Sequence, residues 1–162
     1  MHRRRITLLI FWIFWCAAHS TIAQEPPSPP TETENPLDGQ FKIVWKTKDL
    51  PATLKQAFSK IARQPSFAMA DPGQKFQVTD VVLDRTLPFR RLVFAGTKDD
   101  IWFVHYEHGG IAHRYYVIAF KLTQHDDADF IWGCSMAGVA KSVEQLRAMV
   151  ASCRPKKAND YW

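Results

Sequence analysis

The densest concentration of chemically able side chains is the nine-residue run His105-Tyr106-Glu107-His108-Gly109-Gly110-Ile111-Ala112-His113. Neutral imidazoles and a carboxylate are ordinary zinc ligands, and a carboxylate that orients a histidine makes a general base. Spacing limits both options. The run matches neither the helical His-Glu-x-x-His nor the inverted His-x-x-Glu-His pattern, so a metal would have to be gathered across strands. Gly109-Gly110 opens no helix and is therefore no phosphate cradle. Two adjacent glycines instead supply the positive φ angles of a two-residue hairpin turn. On such a turn His108 faces Ile111, Glu107 faces Ala112, Tyr106 faces His113 and His105 faces Arg114. Side chains alternate along a strand. His105, Glu107 and Arg114 are thus predicted to form a polar cluster on one face. Tyr106, His108 and His113 share the other as a candidate zinc set that lacks a third strong ligand. The hairpin reads as structural or ligand-binding rather than catalytic.

Other chemistry is thinner. Arg85, Arg90 and Arg91 flank Pro88 and read as solvated strand-edge charge, with an anionic partner as the alternative. His125-Asp126-Asp127-Ala128-Asp129 offers oxygens to calcium but lacks the glycine and distal glutamate of a calcium loop, so it reads as a solvated turn. Gly133-Cys134-Ser135-Met136-Ala137-Gly138 is not a Gly-x-Ser-x-Gly nucleophile turn. No Cys-x-x-Cys pair, phosphate loop or dinucleotide fingerprint is present. Trp45, Trp102 and Trp132 read as core, and Tyr161-Trp162 as an exposed end able to mark a partner surface.

These residues need elements to position them. Phe41–Trp45 is a strand by composition. A helix then starts at Asp49-Leu50-Pro51, carries an apolar stripe through Leu50, Leu54, Phe58 and Ile61, and stops at Pro65. Lys75–Leu83, Phe89–Ala95, Asp100–Glu107, Ile111–Leu122 and Phe130–Met136 read as strands, with a turn at Gly96-Thr97-Lys98-Asp99. Ser142 with Gln145 is a capping box, opening a closing helix whose inner stripe is Val143, Leu146, Val150 and Cys153. The predicted class is α+β: an antiparallel sheet of five to six strands, with an early helix and a C-terminal helix packed on one face. An early helix against a curled antiparallel sheet is also the general plan of cystatin-like folds, in architecture alone. The Gln-x-Val-x-Gly loop of cystatins is absent, and no function is carried over.

The N-terminal region sets the compartment. Arg3-Arg4-Arg5, an uncharged run from Ile6 to Ala18 and small residues up to Ala23 have the layout of a secretory signal peptide, predicted over residues 1–23. Cleavage is expected before Gln24, or before Thr21. The apolar run is shorter than the roughly 20 residues of a spanning helix, so no stable membrane span is expected once the signal is removed. Cleavage would take three arginines and no acid, leaving 18 basic against 16 acidic residues. The pI near 9.2 of the whole chain therefore argues for targeting and not for a nucleic-acid partner. Gln24–Asp38 carries five prolines among acids and hydroxyl residues and reads as a disordered tether before a single domain over 39–155 and a short tail over 156–162. In an oxidising compartment Cys134 and Cys153 are expected to bridge. The expectation is a secreted or periplasmic, non-enzymatic binding or accessory domain that takes a protein, peptide or small ligand and needs no cofactor. The alternative is a small hydrolase or zinc-dependent enzyme centred on the histidine hairpin.

Overall fold

Lys42–Val44 (β1) forms the first strand, inside the segment whose alternation predicts it. Pro51 caps a helix over Ala52–Ile61 (α1), whose missing N–H costs nothing at a helix start. Four longer strands follow: Arg90–Lys98 (β2), Ile101–His108 (β3), Arg114–Leu122 (β4) and Ala128–Met136 (β5). Val143–Val150 (α2) closes the chain, with the Ser142 side chain accepting from the Gln145 N–H at 3.2 Å and Gln145 Oε1 accepting from the Lys141 N–H at 2.8 Å. The sheet is a five-stranded antiparallel meander in the order β1-β2-β3-β4-β5, so the class is α+β. The structure is a computed structural model that describes residues 35, 37–82, 84–153 and 155–158; the predicted signal (1–23), most of the tether and Tyr161-Trp162 lie outside the described residues.

Both sheet faces are buried, each beneath its own helix. Leu54, Ala57 and Phe58 of α1 pack with Leu92, Val104, Tyr106, Ile118 and Phe120. Val143, Leu146 and Val150 of α2 pack with Phe94, Phe103, Val117, Ala119 and Cys134 from the alternate positions. The expectation of two helices on one face is corrected. The middle stretches of β2 to β4 (92–95, 101–104 and 115–120) are apolar at successive positions, as strands buried on both faces must be, and each fully buried Phe or Leu contributes about 1.5–3 kcal/mol.

Four further expectations change. Lys75–Leu83 is not a strand in its described part, 75–82. The outer edge of β2 is already occupied by β1 and, through the Ala70 N–H to Arg90 and the Leu92 N–H to Ala70, by residue 70. Gly96 lies inside β2, and the turn falls at Asp99-Asp100, between the paired Lys98 and Ile101. A Cβ at Gly96 would stand 2.4 Å from the Phe103 ring, so glycine there makes room for an aromatic core. Leu37, placed in the tether, is fully buried beneath α2, and its carbonyl accepts from Arg147 Nε at 2.7 Å. The domain therefore includes Leu37. Trp45 is 55% exposed, because β1 ends at Val44, and its ring lies 5.7 Å from that of Phe94 between centroids.

Cys134 on β5 and Cys153 are paired with Cα atoms 6.2 Å apart. α2 stops at Val150, and the turn after it, with the Cys153 N–H on the Val150 carbonyl, drops Cys153 from the helix toward the sheet. That descent closes the roughly 10 Å gap between a helix and a sheet. Closing a loop of 19 residues should contribute about 3 kcal/mol. Protein prepared from residue 24 onward, which omits Cys16, is expected to show no labelled thiol when denatured without reductant, and reduction should lower the unfolding free energy by that amount; two free thiols would contradict the pairing.

Candidate functional site

The β3–β4 register rearranges the histidine hairpin. His108 pairs with Arg114, Glu107 with Tyr115, Tyr106 with Tyr116 and His105 with Val117. The connection is thus five residues long, 109–113, and not a two-residue turn. A shift by an odd number of residues moves a strand's side chains to the opposite face. Arg114 therefore joins His108, and the predicted cluster of His105, Glu107 and Arg114 does not form. The two glycines divide the work: Gly110, at φ +105°, supplies the positive φ of the turn, and Gly109 permits a close approach. The Gly109 N–H donates to Phe89 and the Gly110 N–H to Val78, and a Cβ at Gly109 would stand 1.8 Å from the Gln77 carbonyl oxygen. They let the hairpin tip press against the 77–89 loop.

The released tip carries His113 back over Glu107. His113 Nε2 lies 3.1 Å from Glu107 Oε2, and Arg91 Nε donates to Glu107 Oε1. Arg91 reaches this face because β2 has a bulge between Leu92 and Phe94, which sets Arg91 directly opposite Glu107. The Arg91 guanidinium also lies 4.4 Å from the Phe76 ring centroid and donates to the Gln74 carbonyl at 3.3 Å. Glu107 is the buried member, its side chain 6% exposed against 30% for Arg91 and 39% for His113. The three line an open cleft of about 370 Å³ whose apolar wall is Phe76, Val78 and Leu87. Arg91, expected as solvated charge, is thus half of a buried ion pair; Arg85 alone of the three arginines stays exposed.

His105 plays another part. It is fully buried, with Nδ1 2.8 Å from the Tyr116 carbonyl and the Ala140 N–H donating to Nε2 at 3.2 Å. A carbonyl can only accept and an N–H can only donate, so the ring is neutral and protonated on Nδ1. It pins the β5–α2 connection to the middle of the sheet. Burial pushes its pKa down, against the opposing pull of the hydrogen bond to the Tyr116 carbonyl.

On the α1 face His108 sits between Phe89 and Tyr116, with ring centroids 6.4 and 6.2 Å away. Its pKa is lowered to about 4 by burial first, then by Arg90 and His113. Arg90 is only 3% exposed, which again corrects the solvated reading. The candidate metal set therefore splits: Tyr106 and His108 belong to the α1 face, and His113 is held by Glu107. Among the described residues no three His, Cys, Asp or Glu side chains gather as a ligand set. The 125–129 acids form an exposed turn that extends into β5.

Two depressed histidines give a pH prediction. The unfolded chain binds protons near pH 6.5 where the folded one does not, so stability is complete above that pH and falls on acidification, saturating near pH 4 for His108. His105 should contribute a slope of up to about 1.4 kcal/mol per pH unit, and partly exposed His108 less. Urea unfolding at pH 7.5, 6 and 5 reads this directly; a midpoint that holds or rises on acidification would contradict it.

Comparison with known proteins gives no match, whether to a protein-family model, a curated protein or a solved structure. No helix among the described residues is long and apolar enough to cross a membrane.

Proposed function

We propose that the chain is an exported, non-enzymatic binding or accessory domain whose Glu107 cleft faces the ligand. One observation carries the reading: both carboxylate oxygens of Glu107 are engaged inside the protein, by Arg91 and by His113. A carboxylate held from both sides fixes two side chains of the cleft wall in place, which suits recognition more than proton transfer to a substrate. The apolar side formed by Phe76, Val78 and Leu87 beside this polar one is the usual composition of a ligand pocket. The partner would be a protein, a peptide or a small ligand. The near balance of charge after signal removal speaks against a nucleic acid.

The His113–Glu107 contact at 3.1 Å favours a second reading, since it is also how a carboxylate orients a catalytic histidine or a zinc ligand. Metal analysis of the purified mature protein, with turnover of p-nitrophenyl acetate and p-nitrophenyl phosphate, separates the two. The proposal expects substoichiometric zinc and no turnover above that of His113→Ala. Stoichiometric zinc or turnover that His113→Ala removes would replace it with the hydrolase reading. N-terminal sequencing of exported protein tests the compartment, with a start at Gln24 or Thr21 expected.

A further inference from the structure

The two edges of the sheet are treated differently. Along β5 the chain returns after Cys153, and the Lys156 N–H donates to the Gly133 carbonyl at 2.9 Å, so that edge is partly covered. β1 is the other edge, and among the described residues no strand lies beyond it. In an antiparallel pair alternate backbone groups of an edge strand point away from the sheet, where they can bond a further strand. Beside this edge lies a groove of about 430 Å³ between β1 and the start of α2. Its walls include Phe41, Ile43, Trp45, Phe94 and Val143, with Lys141 at the rim. Trp45 turns a half-exposed indole into it, with the Phe94 ring 5.7 Å away between centroids.

Charge narrows the partner. Lys42, Lys46 and Lys48 are exposed along and just beyond the edge, and Lys141 is exposed on the opposite wall; the acids beside them are the exposed Asp49 and Glu144, and Asp71, which is bonded to the Thr47 N–H between Lys46 and Lys48. Arg147 is set aside, since its guanidinium is bonded to the carbonyls of Leu37 and Gly39.

We propose that β1 is a strand-addition site, which takes an extended acidic peptide segment of another polypeptide and seats its alternate apolar side chains in the Trp45 groove. Backbone bonding to β1 would supply register, the aromatic groove would select one face of the peptide, and the lysines would select its charge. This surface is separate from the Glu107 cleft, and the inference stands whichever reading of that cleft holds.

A random 12-residue phage-displayed peptide library panned on the mature protein, with Trp45→Ala as the counter-selection, is the test. Expected clones alternate apolar positions with Asp or Glu. As synthetic peptides they should bind at least tenfold more weakly to Trp45→Ala and to the Lys42→Glu, Lys46→Glu, Lys48→Glu triple variant. All these substitutions lie on exposed side chains, and circular dichroism confirms that the variants fold. N-methylation along a selected peptide should abolish binding at every second position, the signature of a strand bonded along one side. No enrichment over Trp45→Ala, equal binding to the charge-reversed variant, or an N-methyl scan without alternation would overturn the proposal. So would a dimer in analytical ultracentrifugation that Trp45→Ala dissociates, since the edge would then belong to a second copy.

Discussion

Replacing His105 by alanine is expected to destabilise the fold by about 4 kcal/mol, more than any other single substitution in the polar network. Three losses combine. The imidazole is fully buried, so its removal leaves a cavity beside Phe94, whose ring centroid lies 5.3 Å away. The Tyr116 carbonyl loses a donor and the Ala140 N–H loses its acceptor, and each buried group left alone costs about 1–3 kcal/mol. For a domain of this size the melting temperature should fall by roughly 15 °C. His105→Phe separates the terms: it fills the volume and offers no nitrogen, so about half the loss should remain. A His105→Ala variant within 1 kcal/mol of wild type, by urea unfolding at pH 7.5, would show that the ring does not anchor the β5–α2 connection.

The α+β class, the early helix, the capped C-terminal helix and the cysteine pairing were legible in the sequence because each rests on local spacing. The apolar stripe at Leu54 and Phe58, and the Ser142–Gln145 box, need no knowledge of distant partners. The composition of the site was not legible, since it depends on strand register. Glycine pairs have two uses, tight turning and close approach, and the residue types do not say that here Gly110 turns the chain while Gly109 presses on Gln77 in a longer connection. That choice lengthened the hairpin connection, exchanged Arg114 for His113 beside Glu107, and dispersed the metal set. The bulge between Leu92 and Phe94 is equally silent in the residue types, yet it is what turns Arg91 toward Glu107. Placing both helices on one face failed for a related reason: the middle stretches of β2 to β4 (92–95, 101–104 and 115–120) are apolar at successive positions, which marks burial on both sides, and α2 covers the side that α1 leaves.

Glu107 gives the second large effect. Its carboxylate is buried and joins strands β2 and β3 to the hairpin tip through Arg91 and His113. Removing one partner of a buried pair leaves the other uncompensated, so Glu107→Ala is expected to cost about 3 kcal/mol, moderated by the partial exposure of Arg91. Glu107→Gln keeps the shape and one acceptor oxygen and should cost about 2 kcal/mol. The isosteric change also separates a residue kept for recognition geometry from one kept for chemistry. Catalytic groups are commonly held against the interests of the fold, and their neutral replacements leave stability unchanged or raise it. The decisive measurement is therefore guanidinium unfolding of Glu107→Gln beside wild type at pH 7.5, in the oxidised protein from residue 24 onward. A lower midpoint at unchanged slope, equivalent to about 2 kcal/mol, is the result expected of a carboxylate that builds the cleft wall. A midpoint equal to or above that of wild type would contradict it.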